Sequence, residues 1–490
     1  MPLWSAFVGP SYTMRSPNLD TEATINLFAE TIESAGNAKR STLYGTPGLL
    51  SVGSVATARC RGMFSQETRT FAVIGATLYE LTLSGSGLTL VVVTTSRGTI
   101  VDDGLPVFFA SNGPGGNQLA ISGGGQLKIF NLSTNVLSAA ISLPLTNAPG
   151  PIAFINSYFV LVEVNTLKVW FSANEDGTTW NGLDFFARSN TSDNVVGLAV
   201  AHDLIRVFGS KTSELYYNAG EADYPFLPYA GSISMDGAVA ATGIGVIGET
   251  FVWVSKNQWD VVRVMQAGTG EPTVLSTPPV EFALAGYSSV TDVELLTYEQ
   301  EGHAFAIWTF PTADVTWAFD LRERQWHQRA RWDGTLFHRW RVRGACAPGS
   351  QVILCGDYLT GDLYILSLDT FTDNCVAIRR LRRAPYLSEE NQWLFLDQVE
   401  LGTQSGVGAG TTSANANVLL RVSRDNGNTY SSSLTASRGV AGAFNARAIW
   451  RRLGRARADR LVLEVSSTDS VRCVFGPGLW IRSANGSGEL

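Results

Sequence analysis

The chain has 490 residues, of which 45% are hydrophobic and 49 are glycine, and its formal net charge is −7. This composition is that of a globular protein with many tight turns, so it excludes extended disorder, and the length predicts two or three domains. No apolar run approaches the roughly 18 residues that span a membrane, and the first nine residues lack the pattern of a secretion signal.

Seven strand–turn–strand units recur along the chain, each rich in the Val, Ile, Thr, Tyr and Trp that favour strands. Their starts lie about 40 to 50 residues apart, the period of four-stranded propeller blades. The units begin at Thr70, Gln118, Ser157, Leu204, Thr250, His303 and Val352. An isolated hairpin is marginally stable, whereas stacking blades buries the apolar faces and closing the ring protects the sheet edges.

The repeat therefore predicts an all-β fold that contains a β-propeller of about seven blades, although six or eight would also fit the spacing. The alternative is a run of unrelated hairpins in two sandwiches. We expect the propeller to span residues 56–375, because the hairpin rhythm ends near Cys375. Residues 376–490 are expected to form a separate antiparallel, β-sandwich-like domain.

Two short segments match the Asp-box turn, in which a carboxylate accepts backbone N–H groups and an aromatic ring packs below. The closer match comprises Ser423, Asp425, Gly427, Thr429 and Tyr430, and the looser one comprises Asp176, Gly177 and Trp180. Such turns are folding elements, so they indicate β architecture and say little about catalysis.

The charges are divided along the chain. Residues 1–319 contain 14 Lys and Arg against 27 Asp and Glu, a net of −13, whereas residues 320–490 contain 22 against 16, a net of +6. Complementary faces of neighbouring subunits would explain this division, and solvated surface with intramolecular pairs is the alternative. The basic run Arg379, Arg380, Arg382 and Arg383 could contact phosphate, but it lacks spaced aromatics, so we favour an intersubunit seam or a charged strand edge.

No pattern of catalytic or ligand-binding residues stands out. The four histidines lack metal-ligand spacing, and no nucleophile elbow, phosphate loop or dinucleotide fingerprint is present. Six aspartates flank predicted strands and would be the candidates for a carboxylate pair, but turn chemistry is their commoner role; they are Asp193, Asp203, Asp314, Asp320, Asp357 and Asp362. The sequence therefore predicts a non-enzymatic protein with no catalytic, cofactor or metal site.

Motifs near both ends and in the middle of the chain resemble the phage stabilisation protein family, the tail accessory factors of short-tailed bacteriophages (podoviruses). They include the segment from Asn18 to Glu30, a Pro-Gly-Leu turn, a middle stretch from Trp180 to Phe226, and a terminal segment that starts at Ser423. The residues that carry the resemblance most directly are Asn26, Leu27, Glu30, Pro47, Gly48, Gly197, Glu214, Trp450, Arg451 and Arg452.

The resemblance implies a structural virion protein, a tail nozzle subunit whose β-rich body unites residues 1–55 with the C-terminal region. Six copies would form a ring below the portal and its adaptor, extend the DNA channel, help to retain packaged DNA, and dock tailspikes or fibres and a needle or plug. Double-stranded DNA would pass through the lumen without sequence-specific binding. The protein would assemble in the bacterial host cytoplasm and reside in the virion tail.

Two other functions remain open from the sequence. One is a carbohydrate-binding or sialidase-like propeller hydrolase, although the front of the chain is short of the arginines that a sialidase needs. The other is a bacterial propeller adaptor, which would be a stable monomer with no virion association.

Overall fold

The chain folds almost entirely into β-strands. A computed structural model describes residues 3–13, 21–33, 39–55, 57–85, 90–188, 191–221, 224–257, 259–349, 352–386, 392–406 and 415–485. Its helical segments are α1 (Gly113–Gly116), α2 (Pro278–Ala285) and 3-10 turns at Ser5–Phe7, Ala241–Gly243 and Ala458–Arg460. Across these ranges, no helix has the length and apolar content to cross a membrane.

The N-terminal segment supplies strands to three different sheets. Its strands are β1 (Leu3–Trp4), β2 (Tyr12–Thr13), β3 (Thr21–Ile25), β4 (Leu27–Glu33), β5 (Lys39–Gly45) and β6 (Gly48–Ser54). The strands β3 and β4 are separated by Asn26 alone, whose φ of 56° reverses the local chain direction. A short break at Thr46-Pro47 separates β5 from β6, since proline cannot donate to a ladder.

Seven blades follow, and β6 completes the last of them. Blades 1 to 3 comprise β7–β10 (Cys60–Gln66, Arg69–Ile74, Thr77–Ser84, Val91–Thr99), β11–β14 (Phe108–Ser111, Gln118–Gly123, Gln126–Asn131, Val136–Leu137) and β15–β18 (Pro149–Ile155, Tyr158–Glu163, Lys168–Phe171, Phe185–Ala187). Blades 4 and 5 comprise β19–β22 (Val195–Ala201, Leu204–Gly209, Ser213–Asn218, Phe226–Pro228) and β23–β26 (Ile244–Ile247, Thr250–Lys256, Val262–Ala267, Thr273–Val274).

Blades 6 and 7 connect the propeller to the rest of the chain. Blade 6 comprises β27–β30 (Glu294–Gln300, His303–Phe310, Val315–Asp320, Gln325–Gln328), and the hairpin β31–β32 (Ala330–Trp332, Phe337–Arg339) follows it. Blade 7 comprises β33–β35 (Val342–Cys346, Leu354–Asp357, Asp362–Ser367) with β6 as its outer strand; β36–β37 (Thr372–Asp373, Val376–Ala377) extends this sheet.

The ring is closed, which confirms the predicted propeller and its seven blades. Each innermost strand contacts that of the next blade, and β33 of blade 7 contacts β7 of blade 1. Each predicted hairpin forms the two middle strands of one blade. A separate buried apolar cluster fills each gap between blades, for example Phe71 and Phe130 between blades 1 and 2.

Ring closure depends on the N-terminal segment. The strand β6 pairs antiparallel with β35, so residues far apart in sequence share one blade. The pairing of β6 with β35 places 48–54 in the propeller. The sequence instead predicts that all of 1–55 belongs to the body segment. The domain boundaries at 55 and 375 stay predictions, but the hydrogen-bonded ladders assign this one strand to blade 7.

The remaining strands form a β-sandwich. They are β38–β44 (Arg380–Tyr386, Trp393–Thr403, Ala416–Ser423, Leu434–Gly439, Ala448–Arg457, Val462–Ser467, Val474–Asn485). One sheet has the order β4-β5-β44-β39-β42, with β1 on β44. The other has the order β3-β38-β43-β40-β41, with β2 on β3, and it continues into blade 6 because β3 also pairs with β30. Both sheets enclose one apolar core, which includes Leu27 and Leu43 from the N-terminal segment. The predicted body of N-terminal and C-terminal parts is confirmed.

Candidate assembly site at the propeller–sandwich junction

Asn26 joins three segments where the propeller meets the sandwich. Its Nδ2 donates to the carbonyl oxygens of Ala330 at 2.8 Å and Arg379 at 2.9 Å, and its Oδ1 accepts from the Ala330 N–H at 2.9 Å. Its backbone N–H donates to the Gln328 carbonyl at 2.8 Å. The residue is buried, and asparagine tolerates its left-handed φ better than most side chains do. One side chain thus connects the N-terminal segment, blade 6 and the start of the C-terminal domain.

Arg382 on β38 ties the N-terminal chain to the C-terminal sheet. Its Nη1 donates to the Pro10 carbonyl at 2.8 Å and to Thr24 Oγ1 at 3.0 Å, and its Nη2 forms an ion pair with Glu22. The side chain is fully buried. A buried guanidinium is stable only when its donors are paired, so removing these partners would be costly.

Arg380 lies beside a small cavity at the same junction. The cavity of about 110 Å³ is bounded in part by Glu30 and Arg472. Burial lowers the pKa of Arg380. A Cβ added to Gly45 would come within 2.5 Å of Arg380 Nε, so this glycine leaves the space for the guanidinium. The predicted motif residue Glu30 therefore lies at the junction as well, half-buried against the cavity.

A second polar cluster lies within the sandwich. Glu464 is 1% exposed, and it accepts from Arg383 Nη2 at 2.9 Å through Oε2 and from Arg421 Nη1 at 3.1 Å through Oε1. Both guanidinium groups also stack on Tyr430, at 5.2 and 4.8 Å from the ring centroid. Burial raises the pKa of Tyr430 to about 12. The cluster joins β38, β40 and β43, because Glu464 is paired with an arginine from each of the other two strands.

Aromatic packing attaches the body to blade 6. The Phe28 ring lies 5.2 Å from the His303 ring and 5.7 Å from the Phe305 ring, both edge-on. His303 Nδ1 and Asp320 Oδ2 are 2.6 Å apart and buried. This hydrogen bond raises the pKa of His303, against the opposing effect of burial. The Phe28–His303 contact therefore places the ionisable His303–Asp320 pair next to the junction.

The first Asp-box segment forms a turn that its own side chains close. Asp425 accepts from the Thr429 N–H at 2.8 Å and from Thr429 Oγ1 at 2.6 Å, and Ser423 Oγ donates to it at 2.7 Å. The hydrogen bonds from Thr429 contribute most to lowering the pKa of Asp425 to about 2. Gly427 has a φ of 84°, which favours glycine. The carboxylate is committed to folding the turn.

The second segment connects two blades. Asp176 accepts from the Thr178 N–H at 3.0 Å, and the Gly177 N–H donates to Gln118 Oε1 of blade 2 at 2.7 Å. Burial would raise the pKa of Asp176, but hydrogen bonds, those from Thr178 foremost, lower it to about 2. Trp180 Nε1 donates to the Gly177 carbonyl at 2.8 Å. This turn fastens blade 3 to blade 2.

Two glycines of the family motifs lie where backbones approach closely. A Cβ on Gly48 would come within 2.3 Å of the Thr370 carbonyl oxygen, and one on Gly197 within 2.6 Å of Ile244. Pro47 is buried just before Gly48. These residues shape the ring closure and the contact between blades 4 and 5.

Three further motif residues are buried and contact residues of their own chain. Glu214 is fully buried and pairs with Arg188 Nε at 2.6 Å. Trp450 is buried in the sandwich, where its Nε1 donates to the Leu434 carbonyl at 2.9 Å. Leu27 is in the sandwich core. The structure thus gathers Asn26, Leu27 and Glu30 near the junction and distributes the other motif residues across the molecule.

The four arginines of the predicted intersubunit seam all contact their own chain. Arg380 and Arg382 are buried, Arg383 is paired with Glu464, and the Arg379 guanidinium stacks 4.4 Å from the Trp332 ring centroid. We therefore assign Arg380 and Arg382 to the intramolecular junction, because a buried guanidinium cannot reach a neighbouring subunit. The exposed members of the motif set are Arg451 and Arg452 on β42.

The aspartates considered as catalytic candidates lie in blades 4, 6 and 7, and two of them, Asp357 and Asp362, share the Tyr364 hydroxyl as a donor, at 2.7 and 3.3 Å. Asp193 accepts from Ser210 Oγ at 2.6 Å in blade 4, whereas Asp357 accepts from Arg341 Nε and Tyr364 Oη, both at 2.7 Å, in blade 7. Within the ranges that the structure describes, no group of three or more His, Cys, Asp or Glu could hold a metal ion. Asp193 and Asp357 also accept from the backbone N–H groups of Ser210 and Leu359 in turns. Asp320 is paired with His303.

One buried cation was not predicted from the sequence. Arg329 is 1% exposed, and its guanidinium carbon lies 5.0 to 5.2 Å from the ring centroids of Tyr298, Phe305 and Trp340. Cation–π contacts of this kind are strongest when desolvated. The sequence signal was an arginine within the aromatic-rich run 326–332, but its three rings lie outside that run, on β27, on β28 and at Trp340.

Comparisons with known proteins agree with this architecture. Residues 7–371 match the family model described as "Bacteriophage P22 Gp10, beta-propeller", and residues 379–476 match "Bacteriophage P22 Gp10, beta-sandwich". No curated protein matches the chain. The two matches cover the propeller and the sandwich in chain order.

Solved propellers are distantly similar. The RRP9 WD40 repeats have a TM-score of 0.43 at 10% identity, covering 66% of this chain and 99% of theirs. The N-terminal domain of Nup159 has a TM-score of 0.40 at 10% identity, covering 70% and 98% respectively. Scores this low carry no functional argument.

The chain combines a seven-bladed propeller with a sandwich to which both ends of the chain contribute. The family models that match these two parts define a structural protein of phage tails. The chain belongs to the bacteriophage P22 Gp10 family. Membership in this family implies assembly into the virion tail with other phage proteins.

Proposed function

We propose that the chain is a subunit of the tail nozzle of a short-tailed phage. Six copies form a ring below the portal and its adaptor, extend the DNA channel and help to retain the packaged genome. The ring presents surfaces for tailspikes or fibres and for a needle or plug. Assembly takes place in the host cytoplasm before the particle is released.

The junction is the observation that carries this proposal. Asn26 is buried where the two domains meet, and it bonds to Gln328 of blade 6 and to Arg379 at the start of the C-terminal part. Arg382 fixes the N-terminal chain within the sandwich beside it. Separating the domains would leave the buried groups of Asn26 without their partners, which costs about 1–3 kcal/mol for each unsatisfied polar group. A nozzle subunit needs this property, because its two domains must keep their relation while DNA passes.

The charge distribution also supports a ring around DNA. A cyclic assembly uses two different surfaces of each subunit, so a chain with acidic and basic parts suits head-to-tail contacts. A basic lumen would retain phosphate groups, whereas a neutral or acidic one lets the duplex slide. The net of −13 in residues 1–319 is compatible with a lumen that does not grip its cargo.

Particles made without the chain test this function. We expect DNA-filled heads from a phage with a stop codon in this gene to lose their genome to added nuclease. Adding the purified chain should restore protection, and the restored particles should then accept tailspikes or fibres. Nuclease-resistant particles in the absence of the chain would contradict the proposal, and turnover of host glycans by the purified chain would favour the hydrolase alternative.

A further inference from the structure

The outer face of one sandwich sheet exposes aromatic rings among arginines. Trp393 and Phe395 on β39 are 50% and 43% exposed, and they lie two residues apart, so they share one side of the strand. Their cross-strand partners on β42 are Arg457 and Arg455. The Arg455 guanidinium lies 4.9 Å from the Trp393 ring centroid. We call this surface, together with Arg451 and Arg482, the arginine–aromatic face.

Arg457 lies 3.9 Å from Asp459, whereas the other three arginines of this face have no ion-pair partner within the described parts of the chain. Arg451 on β42 and Arg482 on β44 lie opposite the same residue of β39, and like Arg455 they are exposed without an ion-pair partner there. The carboxylate Glu400 on the same sheet is already paired with Arg447. Clustered like charges repel one another, so an acidic partner would stabilise the face.

An acidic surface lies on blades 3 to 5 of the propeller. In each blade, the turn from the first to the second strand and the turn from the third to the fourth lie at the same end. In these three blades the six turns contain no Lys or Arg. Their exposed carboxylates include Glu175, Asp203, Glu221, Glu249 and Glu271. We call this surface the acidic turn face.

The acidic turn face also exposes apolar side chains. Leu183 in blade 3 is 79% exposed and Tyr224 in blade 4 is 51% exposed, and both belong to turns between the third and fourth strands. Protein interfaces combine an apolar, aromatic-rich centre with a polar rim. The two faces therefore match in charge and in apolar content.

We propose that the arginine–aromatic face of one copy docks on the acidic turn face of the next copy. The contact rests on the ring that the proposed function requires, and it specifies the two surfaces that meet. Because the surfaces differ, the contact is head-to-tail, which is the kind that closes a ring. Trp393 and Phe395 pack on the apolar side chains of the neighbour, and the arginines meet its carboxylates.

A second copy fits the arginine–aromatic face better than a nucleic acid does. Single-strand binding needs ring faces that are free for bases to stack on, whereas the Arg455 guanidinium already lies against Trp393. The same chain carries the complementary acidic surface in every copy. Charge complementarity of this kind selects the correct partner and register.

Charge reversal on each face tests the contact. One variant carries Arg451→Glu with Arg455→Glu, another carries Glu221→Arg with Glu249→Arg, and a third carries all four changes. Copies of each chain bound per purified portal–adaptor complex are measured by native mass spectrometry. We expect each double variant to lower occupied rings by about tenfold or more, and the fourfold variant to recover most of that loss, because opposite charges face one another again.

The matched control is Lys211→Glu with Lys256→Glu, which reverses two basic residues in the turns at the other end of blades 4 and 5. It should assemble like the wild type. If charge reversal lowers the melting temperature of a double variant, Arg451→Gln with Arg455→Gln replaces it and should still weaken assembly.

The outcomes separate this contact from the proposed function. If the wild type forms rings and the reversed variants form them equally well, the contact is overturned and the nozzle function stands. If the wild type forms no ring on the complex, both are overturned. If reversal of the arginines leaves rings intact but abolishes binding of a short DNA, measured by fluorescence anisotropy, the face binds nucleic acid and the contact is overturned.

Discussion

At the scale of single residues, buried polar side chains stabilise the domain junction and the sandwich beside it. Asn26 satisfies backbone groups of two distant segments, and Arg382 bonds to the N-terminal chain. Neither residue contributes much apolar area. Their effect comes from the cost of leaving a buried donor or acceptor unpaired, which exceeds the net gain from making an ordinary hydrogen bond.

We predict that Asn26→Asp lowers the free energy of unfolding by about 3 kcal/mol, because a carboxylate would replace a donor that faces two carbonyl oxygens. Chemical denaturation followed by tryptophan fluorescence measures the change. The control is Asn165→Asp, which also has a positive φ but is exposed, and it should change little. Equal effects of the two substitutions would show that the junction bonds are unimportant.

The His303–Asp320 pair predicts a pH dependence. The pKa of His303 is raised in the folded state, so its contribution to stability is complete below the unfolded value of about 6.5 and is lost as the pH rises through the folded value. The stability difference between wild type and His303→Gln should therefore shrink from about pH 6 to about pH 9. His202→Gln, near the surface, is the control. A difference that grows with pH would contradict the assignment.

Residue-scale features could be predicted only in part. Asn26 and Glu30 were identified through the family resemblance, and the Asp-box carboxylates through a local pattern whose hydrogen bonds span a few residues. Arg329 was not, because its three aromatic partners meet only when β27, β28 and the segment around Trp340 pack together. The predicted arginine seam shows the same limit, since the sequence does not reveal which guanidinium groups are buried.

At the scale of elements, the middle hairpin of each blade is what the sequence encodes most strongly. Most of these strands contain β-branched or aromatic residues, and short turns join them. The outer strands were harder to predict because some have as few as two residues, as in Val136–Leu137 and Thr273–Val274. The place of Gly48–Ser54 in blade 7 follows from a pairing between distant residues, which no local pattern indicates.

The packing between blades is testable on a single hairpin. Trp253 is fully buried, and its ring centroid lies 5.0 Å from that of Phe208 in blade 4. We expect Trp253→Ala to lower the free energy of unfolding by about 3–5 kcal/mol. Trp259→Ala, in the same hairpin but 74% exposed, should cost close to nothing. A small loss at Trp253 in urea denaturation would contradict stacking of blades 4 and 5.

At the scale of the whole molecule, the N-terminal segment completes both domains. It supplies β6 to blade 7, and its residues Phe7, Leu27 and Leu43 belong to the sandwich core. Residues from the start of the chain therefore pack both with blade 7 and with the C-terminal part of the chain.

This interlocking predicts that the C-terminal part depends on the N-terminal segment. A fragment of residues 376–490 lacks β3, β4 and β5, so it should show a broad, weakly cooperative thermal transition and poorly dispersed amide resonances. Joining residues 1–47 to the fragment through a flexible linker should restore cooperative melting, because it replaces the missing core side chains. Cooperative folding of the isolated fragment would contradict the proposed interdependence.

The most direct test of the account is electron cryomicroscopy of purified portal–adaptor complexes mixed with the full chain. The account predicts an additional ring of six copies on the adaptor, with a continuous axial channel and with every propeller attached to its sandwich as in the single chain. Particles that carry no additional ring, or a chain bound as isolated monomers away from the axis, would contradict it.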